Sequence, residues 1–268
     1  MKKHIIGSLL AGAILAFASF TAHAQDTLKF GVADEPYPPF ASKDASGKWV
    51  GFEIDLMDAI CAEMKAKCEI VPVAWEGIIP ALQAKKIDVI FASMLITEKR
   101  KQIIDFSDKY YDTPHMFIGP KSVKVDECPE TGICKDWMKG KVIGVQISTA
   151  HANYAKKAFG DVAEVRTYDK QDNVNADLVA GRVDIVLADA VAMDFFLKSD
   201  EGKDFEKKGF APNDPLYGAG VGGGIRKEDT ALKDKLNAAI KAVRENGVYK
   251  KINDQYFNFD AYGANSAS

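Results

Sequence analysis

Ala84-Lys85-Lys86-Ile87-Asp88-Val89-Ile90-Phe91-Ala92 and Ala180-Gly181-Arg182-Val183-Asp184-Ile185-Val186-Leu187-Ala188 are one pattern written twice. Each passes from a small residue through a basic one to a β-branched residue and an aspartate, then into an apolar run. A short β-branched run bounded by polar residues reads as a strand buried on both faces of a parallel sheet. Working outward, the surroundings match too. Before the first stretch, the spacing predicts a strand over 28–32, a helix over 54–65, a strand over 69–73 and a helix over 78–84. Before the second, it predicts a strand over 141–145, a helix over 150–159, a strand over 163–168 and a helix over 172–180.

The chain therefore reads as two βαβαβ units of similar length, each expected to form its own parallel sheet. A single Rossmann-type sheet is the alternative. No G-x-G-x-x-G turn follows any of these strands, which argues against a dinucleotide. Gly218 to Gly224 reads as a crossover strand whose glycines permit close backbone approach. The last long helix is expected over 230–246, with Leu232, Leu236, Ala239, Ile240 and Val243 on one face and Gly247 as its stop. A short helix near 249–256 follows. Open parallel sheets take ligands at the carboxyl ends of their strands, so two facing sheets put a site in the cleft between them.

Lys2 and Lys3, an apolar run from Ile5 to Phe20, and Ala22-His23-Ala24 form a secretory signal with a small-x-small cleavage pattern. The run is shorter than the roughly 20 apolar residues of a membrane span. No cysteine follows the cleavage site to carry a lipid. Removing residues 1–24 takes two lysines from the 35 basic side chains and leaves all 38 acidic ones, a net charge of −5. Nucleic-acid binding would call for the opposite sign. All four cysteines lie in the exported part, as Cys61 with Cys68 and Cys128 with Cys134. Local disulfides suit these small loops and an oxidising compartment. Zinc is disfavoured, since neither spacing is C-x-x-C and no histidine sits close to both pairs.

Gly51-Phe52-Glu53-Ile54-Asp55-Leu56, followed by Ile60, Cys61 and Met64, resembles the signature of the extracellular solute-binding proteins of polar amino-acid ABC importers. Tyr37-Pro38-Pro39-Phe40, Ile96-Thr97-Glu98-Lys99-Arg100, Gly144-Val145-Gln146, the strand ending at Asp189 and Tyr256-Phe257-Asn258-Phe259-Asp260 resemble the same family in the same order. The likeness covers residues 27–263, in particular to the lysine/arginine/ornithine, histidine, arginine and opine binders. It implies an α/β type II periplasmic binding protein: two lobes joined by two crossover segments, with a ligand cleft between them. The implied division is a signal peptide (1–24), lobe 1 (25–113), lobe 2 with the crossovers (114–221), a return to lobe 1 (222–263) and a tail (264–268). The implied partners are a small amino acid and, transiently, a membrane permease. A periplasmic monomer with no cofactor, metal, nucleic acid or stable membrane insertion is expected.

The resemblance also assigns residues. Arg100 would grip a ligand carboxylate with its planar fork, although the Lys99 to Lys101 cluster taken alone reads as an exposed basic patch. Ser148 and Thr149 would complete the anion site where a helix begins, or serve as an ordinary cap. Asp189 would receive the α-ammonium, with a helix N-cap as its plain alternative. Tyr37 and Trp75 match an aromatic pair enclosing the ligand side chain; each also suits a core. Asp34 is nominated to neutralise a cationic side chain, with Glu35 beside it as the other possibility. Ala92, Ser93, Leu95 and Ala150 fall at ligand-facing positions, and all but Ser93 depart from the polar residues of the cationic amino-acid binders. Cys61 and Cys68 match a disulfide of the subgroup, whereas Cys128 and Cys134 look like an addition. His115 and His151 are read as surface or helix residues. A dehydratase-like enzyme and a receptor-linked sensor are the rivals; an enzyme would need a poised acid or base, for which Glu35 and Glu76 are the candidates.

Overall fold

A computed structural model describes residues 27–263. The export signal and the tail lie outside the described residues. The chain runs through β1 (Thr27–Ala33), a small hairpin of β2 (Ser42–Lys43) and β3 (Trp49–Val50), α1 (Phe52–Glu63) and β4 (Lys67–Val73). One tight turn at Trp75–Gly77 leads to α2 (Ile78–Gln83), β5 (Val89–Ile90), α3 (Glu98–Lys101) and β6 (Asp105–Tyr111). Then come β7 (His115–Pro120), α4 (Lys135–Met138), β8 (Val142–Gln146), α5 (Ala150–Phe159), β9 (Glu164–Tyr168) and α6 (Gln171–Val179). The order closes with β10 (Ile185–Asp189), α7 (Ala190–Leu197), β11 (Phe205–Phe210), β12 (Val221–Ile225), α8 (Thr230–Glu245) and α9 (Val248–Tyr256).

The repeated pattern does the same work in both sheets. At the entry to β5 the Asp88 amide donates to the Lys29 carbonyl at 2.8 Å, and the Asp88 carboxylate accepts the Lys29 amide at 3.0 Å. At the entry to β10, Asp184 repeats this with Val142, at 2.9 and 2.8 Å. Just before each aspartate the chain leaves a helix through a left-handed residue, Lys85 (φ 58°) or Gly181 (φ 67°), a common way for helices to end. The aspartate thus clamps the third strand of each unit to its first.

One sheet has the order β4-β1-β5-β12-β6 and the other β11-β7-β10-β8-β9. Within each, the three strands of the βαβαβ unit are mutually parallel where paired. The sheets are nevertheless mixed, which corrects the expectation of purely parallel ones. β12 runs antiparallel to β5 and β6, β7 to β10, and β11 to β7. A parallel neighbour needs a long crossover back to the starting edge; these strands enter or leave through the connectors between sheets instead. The connectors are residues 112–114 and 211–220. Gly218 (φ 76°) lies in the second, where a Cβ would collide with the Ile96 carbonyl. The glycine-rich stretch is therefore divided, part connector and part β12.

Helix α1 is seated by Gly51 (φ 128°), whose lack of a Cβ lets the chain lie against the Phe40 carbonyl. The first amides of α1 then find partners outside the helix: Phe52 donates to the Pro39 carbonyl and Glu53 to that of Phe40, both at 2.9 Å. Phe52 packs against Phe257 with ring centroids 4.9 Å apart, and Phe40 stacks on Tyr111 at 4.7 Å. Leu236, Ala239, Ile240 and Val243 form the buried stripe of α8, and Gly247 (φ 82°) ends that helix. Cys61 is bonded to Cys68 and Cys128 to Cys134.

The first bridge ties the end of α1 to β4 across a sequence separation of seven. Replacing both Cys61 and Cys68 by serine is expected to lower the unfolding free energy by about 2 to 3 kcal/mol, the loop-closure value for so small a ring. Urea titration of the oxidised parent and the double variant checks this; coincident midpoints would deny the bridge a stabilising role.

Candidate functional site

A cavity opens where β1, β5 and β8 end, lined by residues from both sheets. Tyr37, Trp75, Ala92, Ser93, Leu95, Arg100 and Thr149 of the nominated set line it, as does Ala150; Asp34, Ser148 and Asp189 do not. Four further polar groups that the sequence reading had not placed there do: Glu53, Gln146, His151 and Gln171.

Arg100 follows directly from the local chain. Thr97 caps α3 by accepting the Arg100 amide, which puts the guanidinium on the cleft side. One terminal nitrogen donates to the Leu95 carbonyl at 2.8 Å, the other to the Ser148 carbonyl across the cleft at 3.0 Å. The guanidinium carbon lies 5.4 Å from the centre of the Trp75 ring, a cation–π distance. Loss of surrounding water pulls its ionisation down to about 10, so it remains a cation at neutral pH. Trp75 crosses the cleft as well, its indole N–H donating to the Ile147 carbonyl at 3.0 Å. Thr149 caps α5, accepting the Ala152 amide at 3.0 Å, and its hydroxyl donates to the Gln146 carbonyl at 2.7 Å. Ser148, at φ 61°, presents its carbonyl rather than its side chain.

The acid that enters the cavity is Glu35, not Asp34. The Asp34 amide still follows the β1–β4 ladder, donating to the Val73 carbonyl, so its side chain stays at the rim, where it pairs with Lys170 at 3.8 Å. Glu35, turned the other way, is 4 % exposed. Its carboxylate accepts the Gln146 side-chain amide and the backbone amide of Gln171 at 3.1 Å. Gln171 opens α6, whose own N-cap residue, Lys170, supplies no side-chain cap. One sheet thus lends the other its helix cap. Burial raises the Glu35 carboxyl above its ordinary range, against the lowering effect of those hydrogen bonds.

Asp189 ends β10 and caps α7. Oδ1 accepts the amides of Val191 at 2.8 Å and Ala192 at 3.1 Å, while the Thr113 hydroxyl donates to Oδ2. Burial pushes it up to about 6 despite these bonds. Its charge still reaches the cavity: burial, then Asp189, Glu35 and Glu53, hold the Tyr37 phenol well above the usual range.

His151 is a helix residue, as read, but a buried one, and His115 begins β7. His151, on α5, is nine-tenths buried and lines the cavity. Its Nε2 lies 3.0 Å from Nδ1 of His115, whose ring stacks on Tyr217 at 3.6 Å. Burial and then His151 pull His115 well below the imidazole range; burial and then Arg100 pull His151 down to about 3. Both are neutral at pH 7. Among the described residues no group of three or more His, Cys, Asp or Glu gathers as a metal site would require, and no helix is long and apolar enough to cross a membrane.

The family described as bacterial extracellular solute-binding proteins, family 3, matches residues 28–259. The L-arginine-binding protein of Pseudomonas aeruginosa is 41% identical over 268 residues, spanning 99% of this chain and 100% of that one. The lysine/arginine/ornithine-binding periplasmic protein of Escherichia coli K12 is 40% identical over 267 residues, spanning 98% and 100%. Among solved structures, an ancestral arginine-binding protein bound to arginine superposes with a TM-score of 0.77 at 34% identity, covering 87% of this chain and 98% of that one.

The cap at Asp189 has a pH signature. A native value of about 6 lies above the ordinary carboxyl value near 3.9. This group therefore favours the fold below about pH 4 and becomes a cost as pH rises through 6, on the order of 3 kcal/mol at neutrality. Asp189→Asn keeps a good cap and is expected to be at least as stable as the parent at pH 7.5, losing that advantage at pH 4. Asp189→Ala should fall about 1 kcal/mol below Asn at both. Urea unfolding at the two pH values measures this; Asn falling below Ala at pH 7.5 would contradict it.

Proposed function

The chain belongs to the bacterial extracellular solute-binding proteins, family 3, and from that membership we propose that it captures a free amino acid with a cationic side chain and hands it to the permease of an ABC importer. The observation that carries the reading is the charge inventory of the cleft. Glu35 and Glu53 line it, Asp189 acts on its Tyr37 phenol, and against these three carboxylates stands, among the described residues that line it, one cation, Arg100. An amino acid brings a carboxylate suited to the guanidinium fork and an ammonium suited to an acidic wall. A second positive charge on its side chain offsets the remaining surplus, with Glu35 as its partner. The ligands in the relatives' names, arginine, lysine and ornithine, fit this balance. The role is binding without catalysis and the working compartment is the periplasm, which the second relative's name supports. Both cleft acids available for proton transfer, Glu35 and Glu53, are occupied by fixed hydrogen-bond donors.

The two sheets serve as lobes hinged at residues 112–114 and 211–220, closing over the ligand through the bonds made by Arg100, Trp75 and Glu35. Calorimetry with arginine, lysine, histidine and glutamine tests the reading. The parent is expected to bind at least one cationic amino acid more tightly than glutamine. Arg100→Ala should weaken every amino acid by roughly 3 to 5 kcal/mol, a hundredfold to several thousandfold. Glu35→Gln should weaken cationic ligands more than glutamine. No heat with any amino acid would overturn the function, and equal losses across ligands in Glu35→Gln would overturn the cationic preference.

A further inference from the structure

The loop between β5 and α3 carries Ser93, Leu95 and finally Arg100, and it turns on a residue in a costly conformation. Ser93 has φ 53°, in the left-handed region that side-chain-bearing residues avoid unless something holds them. The holder comes from α1. Glu53, in the first turn of that helix, is 1 % exposed and lines the cavity. Its Oε1 accepts the Ser93 amide at 2.8 Å and its Oε2 the Ser93 hydroxyl at 2.9 Å, while the Tyr110 hydroxyl donates to Oε1. Tyr110 is itself fixed, fully buried and stacked on Phe91 at 4.2 Å. Beyond Ser93, Leu95 bridges to Val221, and its carbonyl receives the Arg100 guanidinium.

We propose that Glu53 is a positioning residue of the ligand site: by pinning Ser93 in its left-handed turn, it sets the point from which Arg100 reaches across the cleft. This rests on the reading of the cavity as an amino-acid site. The anchor lies in the acceptors of this one side chain: the Ser93 amide and the Tyr110 hydroxyl converge on Oε1, and the Ser93 hydroxyl meets Oε2. Burial raises the Glu53 carboxyl above its ordinary range, against the lowering effect of the Tyr110 and Ser93 hydrogen bonds.

The test separates positioning from mere stability. Glu53→Ala, which removes both acceptor oxygens, is expected to weaken arginine binding about ten- to a hundredfold. Adding Ser93→Gly to that variant should recover most of the loss, because glycine adopts positive φ unaided. Without added ligand, hydrogen exchange at the Ser93 amide should accelerate at least about tenfold in Glu53→Ala. Either unchanged exchange, or an affinity loss that Ser93→Gly leaves undiminished, overturns the inference. Should Glu53→Ala not fold, Tyr110→Phe decides: it removes one donor to the same carboxylate, and arginine affinity equal to the parent's overturns the proposal. A parent that binds no amino acid defeats the proposed function, while the exchange measurement still judges Glu53.

Discussion

A charge withdrawn from water must be given partners, because the cost of leaving it unmet exceeds what almost any single contact returns. The cleft gathers four such charges in one small space, and much of the architecture can be read as the answer to them. Helix beginnings supply amides: α7 to Asp189, and α6 to Glu35 from the opposite sheet. Strand-end loops supply carbonyls to Arg100. Because Glu35 finds these partners, and Arg100 one of its two, on the opposite sheet's side, satisfying these groups is the same event as bringing the sheets together. Packing of the aromatic core under α1 sets where the acids stand, and the acids set how the lobes meet.

The two sheets also mirror each other at the site. Each places a serine in the left-handed region just beyond a strand of its βαβαβ unit, Ser93 after β5 and Ser148 after β8. The first is gripped by a carboxylate through its amide and hydroxyl; the second offers its carbonyl to the guanidinium that the first one's loop carries. Against the acidic wall, His151, held by His115 behind it, lines the cavity without a charge at pH 7.

Local pattern was enough for much of this. Helix α5 was legible to the residue, because Thr149 caps it and the apolar spacing ends at Phe159. The twin aspartates announced the two units because the clamp needs the same residue types twice. Strands β6, β7 and β11 were not read. Phe205-Glu206-Lys207-Lys208-Gly209-Phe210 carries charges on a bulged edge strand, and His115 to Pro120 ends in a Gly-Pro that signals a turn. At the site, Glu35 and Asp34 could not be told apart, since the β1 ladder extends one amide beyond the strand and reverses which side chain turns inward. The histidine pair left no trace at all: 36 residues separate its members, and only the sheet topology brings them together. Glu53 stood in plain view inside a recognised motif, yet its task depends on the φ of a residue forty positions away.

The order of strands also fixes an order of events. Among the described residues, every strand of the second sheet lies between residues 115 and 210, whereas the first sheet is incomplete without β12, which sits between β5 and β6 and is the only strand joining β6 to the rest. As the chain emerges from its amino end, the lobe that starts first must finish last, holding β6 unpaired while an entire neighbouring sheet assembles. Long-range pairings of this kind close slowly, so the first lobe spends the longest time with an open edge, and residues 221–225 act as the keystone that ends that exposure.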